Sequence, residues 1–326
     1  MRRRDFITGL GGAGFAWPVI ARAQQRMPVI GYLYSGTLET SALLMAAFRQ
    51  GLGEQGFSEG RNVAIEYRFA NNDPRRLPEL AADLVRRRVA VIVVPGIAPS
   101  VHAAMAATTT IPIVFRTGGD PVELGLVASL NRPGGNVTGI NAMSLETAAK
   151  RLGLLHDLLP GATRFATLFN PNDPNATSYT QELQGAASAI AAQLDFIAAT
   201  DARGVDAAFA EIAKQRPDAL VVVSQGLLIN RRVQIVTHAT RQGLPGIYPN
   251  REWTEIGALM SYGSSSTDGW RLTGVYTGRV LKGEKPADLP VLRASKFELI
   301  INLQTAKVFG IDIPTTLLAA ADEVIE

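Results

Sequence analysis

The chain has 326 residues, 47% of them hydrophobic and 19% charged, which is enough apolar material for one large or two ordinary globular domains and too much for a disordered chain. The formal charge of +3 comes from one end: four of the 32 basic residues (Arg2, Arg3, Arg4, Arg22) and one of the 29 acidic ones (Asp5) lie in the first 23 positions, leaving 28 of each. A remainder of zero net charge carries no electrostatic footprint for nucleic acid, and the lack of cysteine excludes disulfides, thiolate metal sites and a lipidated N-terminal cysteine.

Residues 1–23 read as an export signal: an arginine-rich start, an apolar run from Phe6 to Ile20, and small residues at Ala21 and Ala23, with cleavage expected near Ala23. Arg3-Arg4-Asp5-Phe6-Ile7 resembles a twin-arginine address, while the general secretory route stays open. The apolar run is shorter than the ~20 residues a membrane span needs, so the expected location is the periplasm. Gly9, Gly11 and Gly14 satisfy G-x-G-x-x-G, but no strand precedes them, so a dinucleotide site is not expected there.

From Val29 the chain alternates short apolar runs with amphipathic stretches. Val29 to Tyr34, Asn62 to Ala70, Val89 to Val94 and Ile111 to Phe115 read as strands, separated by helices beginning near Thr40 or Ser41, at Asp73-Pro74 and after Pro95. The β-branched run at Val89 is the pattern of a strand buried on both faces of a parallel sheet. Asn136 to Asn141, following the turn 131–135, reads as a strand leaving one α/β unit for a second, and so as both domain boundary and hinge. The alternation resumes with a helix over 144–159, strands at Phe165 to Phe169, Asp195 to Ala199, Ala219 to Ser224, Leu244 to Tyr248 and Leu259 to Tyr262, and helices between them. Asp268 to Lys282 reads as a helix returning to the first domain, and Phe297 onward as a strand and helix of the second. The expected fold is α/β: two doubly wound parallel-sheet lobes joined by a hinge, the first formed by 28–141 plus about 264–290 and the second by 142–263 plus about 291–326.

Ligands of open parallel sheets bind outside the carboxyl ends of the strands, where helix N-termini present free N–H groups to compact anions. Polar and Gly/Pro residues gather at those ends, which makes Ser35, Gly36, Thr37, Gly96, Ser100, Arg116, Thr117, Asp120, Asn170, Asn172 and Gln225 candidate ligand-binding residues. Tyr248 and Tyr262, with Tyr34 and Trp253, are candidate flat, amphipathic walls. Gly, Pro, Asn and Ser also occur at such turns for backbone reasons alone. Catalysis is not expected: His102, His156 and His238 lie far apart with no metal-ligand spacing, and no nucleophile elbow or phosphate loop is present. No cofactor or metal is expected.

The C-terminal run Lys296-Phe297-Glu298-Leu299-Ile300-Ile301-Asn302-Leu303-Gln304-Thr305-Ala306-Lys307, then Gly310-Ile311-Asp312-Ile313-Pro314, Leu317-Leu318 and Ala321 to Ile325, resembles the ending of periplasmic substrate-binding proteins of ABC transporters in the tryptophan/tyrosine-binding-like group. Asn136 to Gly139, Gly119 to Val122, Asn170-Pro171 and Gly283 to Asp288 are similar to internal landmarks of the same family. The resemblance implies a type I periplasmic-binding fold with three crossovers, a small-molecule ligand held as the hinge closes, and a closed monomer that docks on an inner-membrane ABC permease. It implies contacts from Ser35 to Thr37, Gly96 to Ser100, Arg116 to Asp120, Asn170 to Asn172 and the loop at Gln225. The chain departs from the pattern at Arg116, where a small or apolar residue is expected, and at Ser224-Gln225-Gly226, which lacks an acidic residue. The expected role is capture of a small organic solute, an amino acid or another carboxylate-bearing molecule, for import; the alternative is a ligand sensor of the same fold signalling to a membrane receptor.

Overall fold

A computed structural model describes residues 27–326; the export segment and the glycine pattern at Gly9 to Gly14 lie outside the described residues. In chain order the elements are β1 (Val29–Tyr34), α1 (Ala42–Glu54), β2 (Ala64–Phe69), α2 (Leu77–Arg86), β3 (Val91–Pro95), α3 (Ala98–Ala107), β4 (Ile113–Thr117) and β5 (Val137–Asn141). There follow α4 (Glu146–Leu158), β6 (Arg164–Phe169), α5 (Ala176–Ala189), β7 (Gln193–Ala198), α6 (Ala202–Gln215), β8 (Ala219–Val222), α7 (Gly226–Asn230), α8 (Arg232–Arg241), β9 (Gly246–Tyr248), α9 (Arg251–Thr254) and β10 (Met260–Ser264). The chain closes with α10 (Ser266–Leu281), β11 (Leu292–Arg293), β12 (Phe297–Asn302), α11 (Leu303–Phe309), α12 (Thr315–Ala320) and β13 (Glu323–Ile325).

These form two lobes of parallel sheets with flanking helices. The first sheet has the order β11-β5-β4-β3-β1-β2 and is parallel throughout. The second has the order β13-β12-β10-β9-β8-β6-β7. One pair departs from the expected parallel pattern, since β12 runs antiparallel to β10. Its physical reason is the connection: β12 is reached from β11 in the other lobe through residues 294–296, without the crossover helix that would turn the chain for a parallel pairing. β11 also belongs to the first sheet, a few residues past the expected boundary near 290.

Strand alternation divides the first core. Ile30, Tyr32 and Tyr34 of β1 face α1 and α10, while Leu33 faces the opposite layer with Leu84, Val94 and Val101. α1 and α10 meet backbone to backbone, because a Cβ on Gly51 would lie 1.8 Å from Arg271 O and one on Gly274 2.1 Å from Phe48 O. That contact fixes α10, which carries part of the cleft wall, against the first lobe. The second lobe has one continuous core running from Ala148 to Leu317 and including Phe165, Phe209 and Trp253.

The chain passes between lobes at 142–145, at Ser265 and at 294–296, and the three crossings are bonded together. Ser265 N donates to Lys296 O at 3.0 Å and Ala294 N to Asn141 O at 2.8 Å. Arg151, fully buried, donates to Ser144 O at 3.1 Å and Tyr262 O at 3.3 Å, tying the first crossing to β10.

Candidate functional site

Between the lobes lies a cavity of about 80 Å³. A buried water needs roughly 10–15 Å³ by this measure, so there is room for several waters or one compact organic molecule. The first lobe contributes Tyr34 and Ser35 from the end of β1, Gly96 to Pro99 after β3, and Arg116 to Gly119 at the end of β4. The second contributes Asp173 and Asn175 before α5, Ser224 and Gly226 after β8, Asn230 and Arg232 around the α7–α8 joint, and Asn250, Glu252 and Trp253 after β9. Ser264, Ser266 and Trp270 enter from the second crossing and α10. These are mostly loops at the carboxyl ends of strands, where open α/β sheets hold their ligands.

Arg116 organises the first wall. Only 9% exposed, it reaches α10 at Gly269, where a Cβ would sit 2.4 Å from its Nε, so the absence of a side chain there makes its seat. The guanidinium lies over Trp270, Cζ 4.6 Å from the ring centroid, a contact worth ~0.5–2 kcal/mol. Trp270 is itself held by donation from Nε1 to Tyr32 Oη at 3.0 Å. The Arg116 side chain donates weakly to Ser264 Oγ at 3.4 Å, and its Nε has no acceptor. Burial lowers its pKa to about 10 against the opposing pull of Glu252 and Tyr34, so it remains charged at neutral pH.

The opposite wall also holds polar atoms without partners. Glu252 Oε2, Asn250 Oδ1, Trp253 Nε1 and Arg232 Nε are buried and unbonded. Burial pushes the Glu252 carboxyl up from its ordinary value, opposed by Ser266 and Arg116; burial likewise raises Asp173, opposed by the Asn175 amides. Trp253 stacks on Tyr248 at 5.1 Å between centroids, which holds its indole in place. Each buried unsatisfied polar group costs ~1–3 kcal/mol, and five of them around one cavity mark a surface shaped for a bound polar molecule. The lobes approach closely beside it. A Cβ on Gly119 would lie 2.0 Å from Asn175 Oδ1, and one on Gly226 2.9 Å from Ile97 Cγ2, each contact crossing from one lobe to the other.

Of the residues singled out from the sequence, Ser35, Gly96, Arg116 and Thr117 line the cavity, as do two of the four aromatic candidates, Tyr34 and Trp253. Asn170 and Asn172 line an adjoining interlobe groove of about 340 Å³, which Ser35 also borders. The others lie off both walls. Gly36 O accepts from Asn71 N, and Thr37 O accepts from Ser41 Oγ. Ser100 is buried within α3 with its hydroxyl unpartnered, and Asp120 caps its own turn by accepting from Val122 N and Glu123 N. Gln225 brackets the Asn170 backbone, accepting from its N at 2.6 Å and donating to its O at 3.2 Å. Tyr248 lies behind Trp253, and Tyr262 stacks on Phe297. Trp270, Glu252, Arg232 and Asn230 were not anticipated; each belongs to a helix or helix joint where sequence pattern signals packing or solvent. Among the described residues no group of three His, Asp or Glu side chains is arranged to hold a metal, and no helix is long and apolar enough to cross a membrane.

The family model for "ABC transporter substrate binding protein" matches residues 38–325. A tyrosine-binding protein of Clostridioides difficile (strain R20291) is 28% identical over 261 residues, 80% of this chain and 74% of that one. Among solved structures, an ABC domain in complex with L-Trp from Streptococcus pneumonia superposes with a TM-score of 0.84 at 24% identity, covering 91% of this chain and 99% of that one. The ligand-free, open structure of a substrate-binding protein with adhesive properties from Clostridium difficile superposes with a TM-score of 0.68 at 25% identity, covering 92% and 99%. The lobes therefore have the type I periplasmic-binding architecture, and the chain belongs to the ABC transporter substrate-binding protein family.

Proposed function

We propose that this protein is the periplasmic solute-binding component of an ABC importer, capturing a small carboxylate-bearing organic solute between its lobes by hinge closure. Residues 1–23 direct export, the mature chain is a monomer, and the closed form docks on an inner-membrane permease. The observation that carries the proposal is the interlobe cavity with unpartnered polar atoms on both walls, Arg116 Nε on one side and Arg232 Nε, Glu252 Oε2 and Trp253 Nε1 on the other. A molecule bonded to both walls stabilises the closed arrangement, which is the physical basis of hinge closure. The higher TM-score with the ligand complex than with the open, ligand-free relative supports a closed arrangement here. Arg116, buried and charged, supports a carboxylate on the ligand.

The test is a thermal-shift screen of the chain from Gln24 onward against amino acids, aliphatic and aromatic carboxylates, sugars and nucleosides. Binding only to the folded state adds ~2.7 kcal/mol at a hundredfold excess over Kd, a shift of a few degrees for a protein of this size. A saturable shift by a solute recovered unchanged supports the proposal. Conversion of the solute contradicts it, as does a shift only with uncharged sugars or nucleosides.

A further inference from the structure

The C-terminal run from Lys296 to Ile325 carries the family resemblance, yet no described residue beyond Trp270 lines the cavity. Its contacts converge on one element. α9 spans four residues, with no side-chain cap from Asn250, and a single turn is too short to hold itself. It nevertheless brings Glu252 and Trp253 to the cavity, where Glu252 Oε2 and Trp253 Nε1 find no hydrogen-bond partner among the described residues. The protein has to fix these two atoms through the backbone that bears them.

That backbone is fastened from the C-terminal side. Arg251 and Thr254 lie one turn apart on α9. The Arg251 guanidinium is ringed by three acids: Nε is 3.7 Å from Glu298 Oε2 of β12, Nη1 is 3.3 Å from Glu255 Oε1, and both terminal nitrogens bond Glu323 of β13. Asn302, buried at the end of β12, donates from Nδ2 to Thr254 O at 3.3 Å, and Thr305 Oγ1 donates to Gly257 O at 2.9 Å. β12 and β13 are themselves locked, since 300–302 pair with 323–325 and Leu299 N donates to Asp322 Oδ2 at 2.8 Å. Both ends of α9 and the turn after it are therefore tied to the last two strands of the second sheet.

We propose that β12, β13 and the first turn of α11 brace α9 for ligand binding, with Arg251, Asn302 and Glu323 as positioning residues that set the affinity of the cavity without touching its occupant. This goes beyond the solute-binding reading and rests on it for the effect on affinity. Binding groups that shift by a fraction of an ångström lose their hydrogen-bond geometry. Ion pairs as exposed as Arg251 and Glu323 add little to global stability, so breaking them acts at the site and not on the melt.

The experiment reads the two indoles of the mature chain, Trp253 and Trp270. Trp270 is held separately, by its bond to Tyr32 Oη. With isotopically labelled tryptophan each indole N–H gives one signal in a proton–nitrogen correlation spectrum, assigned with Trp253→Phe. Trp253 stacks on Tyr248 at 5.1 Å between centroids, so its signal responds to movement of α9. Arg251→Met and Glu323→Gln are expected to shift the Trp253 signal, leave that of Trp270 in place and melt within a few degrees of the parent. Arg251→Lys, which keeps the charge, is expected to return the signal toward its parent position. For a solute that binds in the screen described above, Arg251→Met and Glu323→Gln are expected to weaken Kd about fivefold or more, the loss of one hydrogen bond. An unmoved Trp253 signal, a shift of both indoles together, or unchanged affinity overturns the inference and leaves the solute-binding reading standing. If no solute binds, the indole signals still decide the brace by themselves, and only the solute-binding reading falls.

Discussion

Gly269 offers the sharpest separation of binding from stability. In Gly269→Ala the new methyl would start 2.4 Å from Arg116 Nε, 3.2 Å from Cδ and 3.3 Å from Cζ, so the guanidinium must retreat by about 1 Å to reach ordinary contact. Retreat weakens the stack on Trp270, worth ~0.5–2 kcal/mol. Replacing glycine by alanine inside a helix returns ~0.8–1 kcal/mol of propensity, and Gly269 sits within α10 without a positive φ. The two effects roughly cancel, and the melting temperature of the unliganded variant is expected to stay within a few degrees of the parent. Binding has no such offset. A displaced guanidinium loses a charge-assisted hydrogen bond worth ~1.5–3 kcal/mol, which is about tenfold to a hundredfold in Kd. Calorimetric titration beside a thermal melt measures both quantities on one sample. Unchanged affinity in a folded variant would refute the placement of Arg116 at the ligand.

Three further perturbations probe the hinge, the acid and the indole. Gly119→Ala puts a methyl 2.0 Å from Asn175 Oδ1 on the facing lobe; it should leave the unliganded melt unchanged, weaken ligand binding and keep the radius of gyration in small-angle scattering from shrinking when ligand is added, with Asn175→Ala restoring closure. Glu252, whose carboxyl is raised by burial, faces Arg116 on β4, Tyr34 on β1, Ser266 on α10 and Glu255 just past α9. Because the folded state holds that proton where the unfolded chain releases it, this group's contribution is fully present below the ordinary carboxylate range and is lost as pH rises toward its folded value. Glu252→Gln should therefore lose less stability than the parent over that interval, and parallel melting curves against pH would contradict the assignment. Trp270→Leu removes the partner of buried Tyr32 Oη and should cost ~2–4 kcal/mol by chemical denaturation; a loss under ~1 kcal/mol would mean that the bond is dispensable.

The α/β architecture was legible because its strands are β-branched runs bounded by Gly and Pro, and because β1, β3, β4, β6 and β8 are each followed by a clear turn. The short elements were not: α7, α9, β11 and β13 span two to five residues, too few to show a period, and they form where neighbouring segments hold them. The antiparallel β12 was equally hidden, since a strand's own sequence does not state from which lobe it is entered. At the site, the rule that loops at carboxyl ends of strands meet the ligand led to Ser35, Gly96, Arg116 and Thr117. It overreached at Gln225 and Asp120, whose side chains satisfy their own loops, and at Tyr248 and Tyr262, which stack away from the cavity. Trp270 and Gly269 were invisible because both sit in a helix whose packing pattern explains them without any ligand. Only the seat they make together for Arg116 shows their part.

Two of the three tryptophans, Trp253 and Trp270, line the cavity, and the third, Trp17, lies in the segment expected to be removed on export. Tryptophan emission of the mature chain therefore reports on the cleft alone. The most direct measurement is a fluorescence titration of that chain with the solute panel, followed by mass spectrometry of the recovered solute. The account predicts a saturable one-site change with one carboxylate-bearing solute, weakened about tenfold or more in Arg116→Gln, and the solute returned chemically intact. A saturable response that persists unchanged in Arg116→Gln, or a solute returned as a different compound, would contradict it.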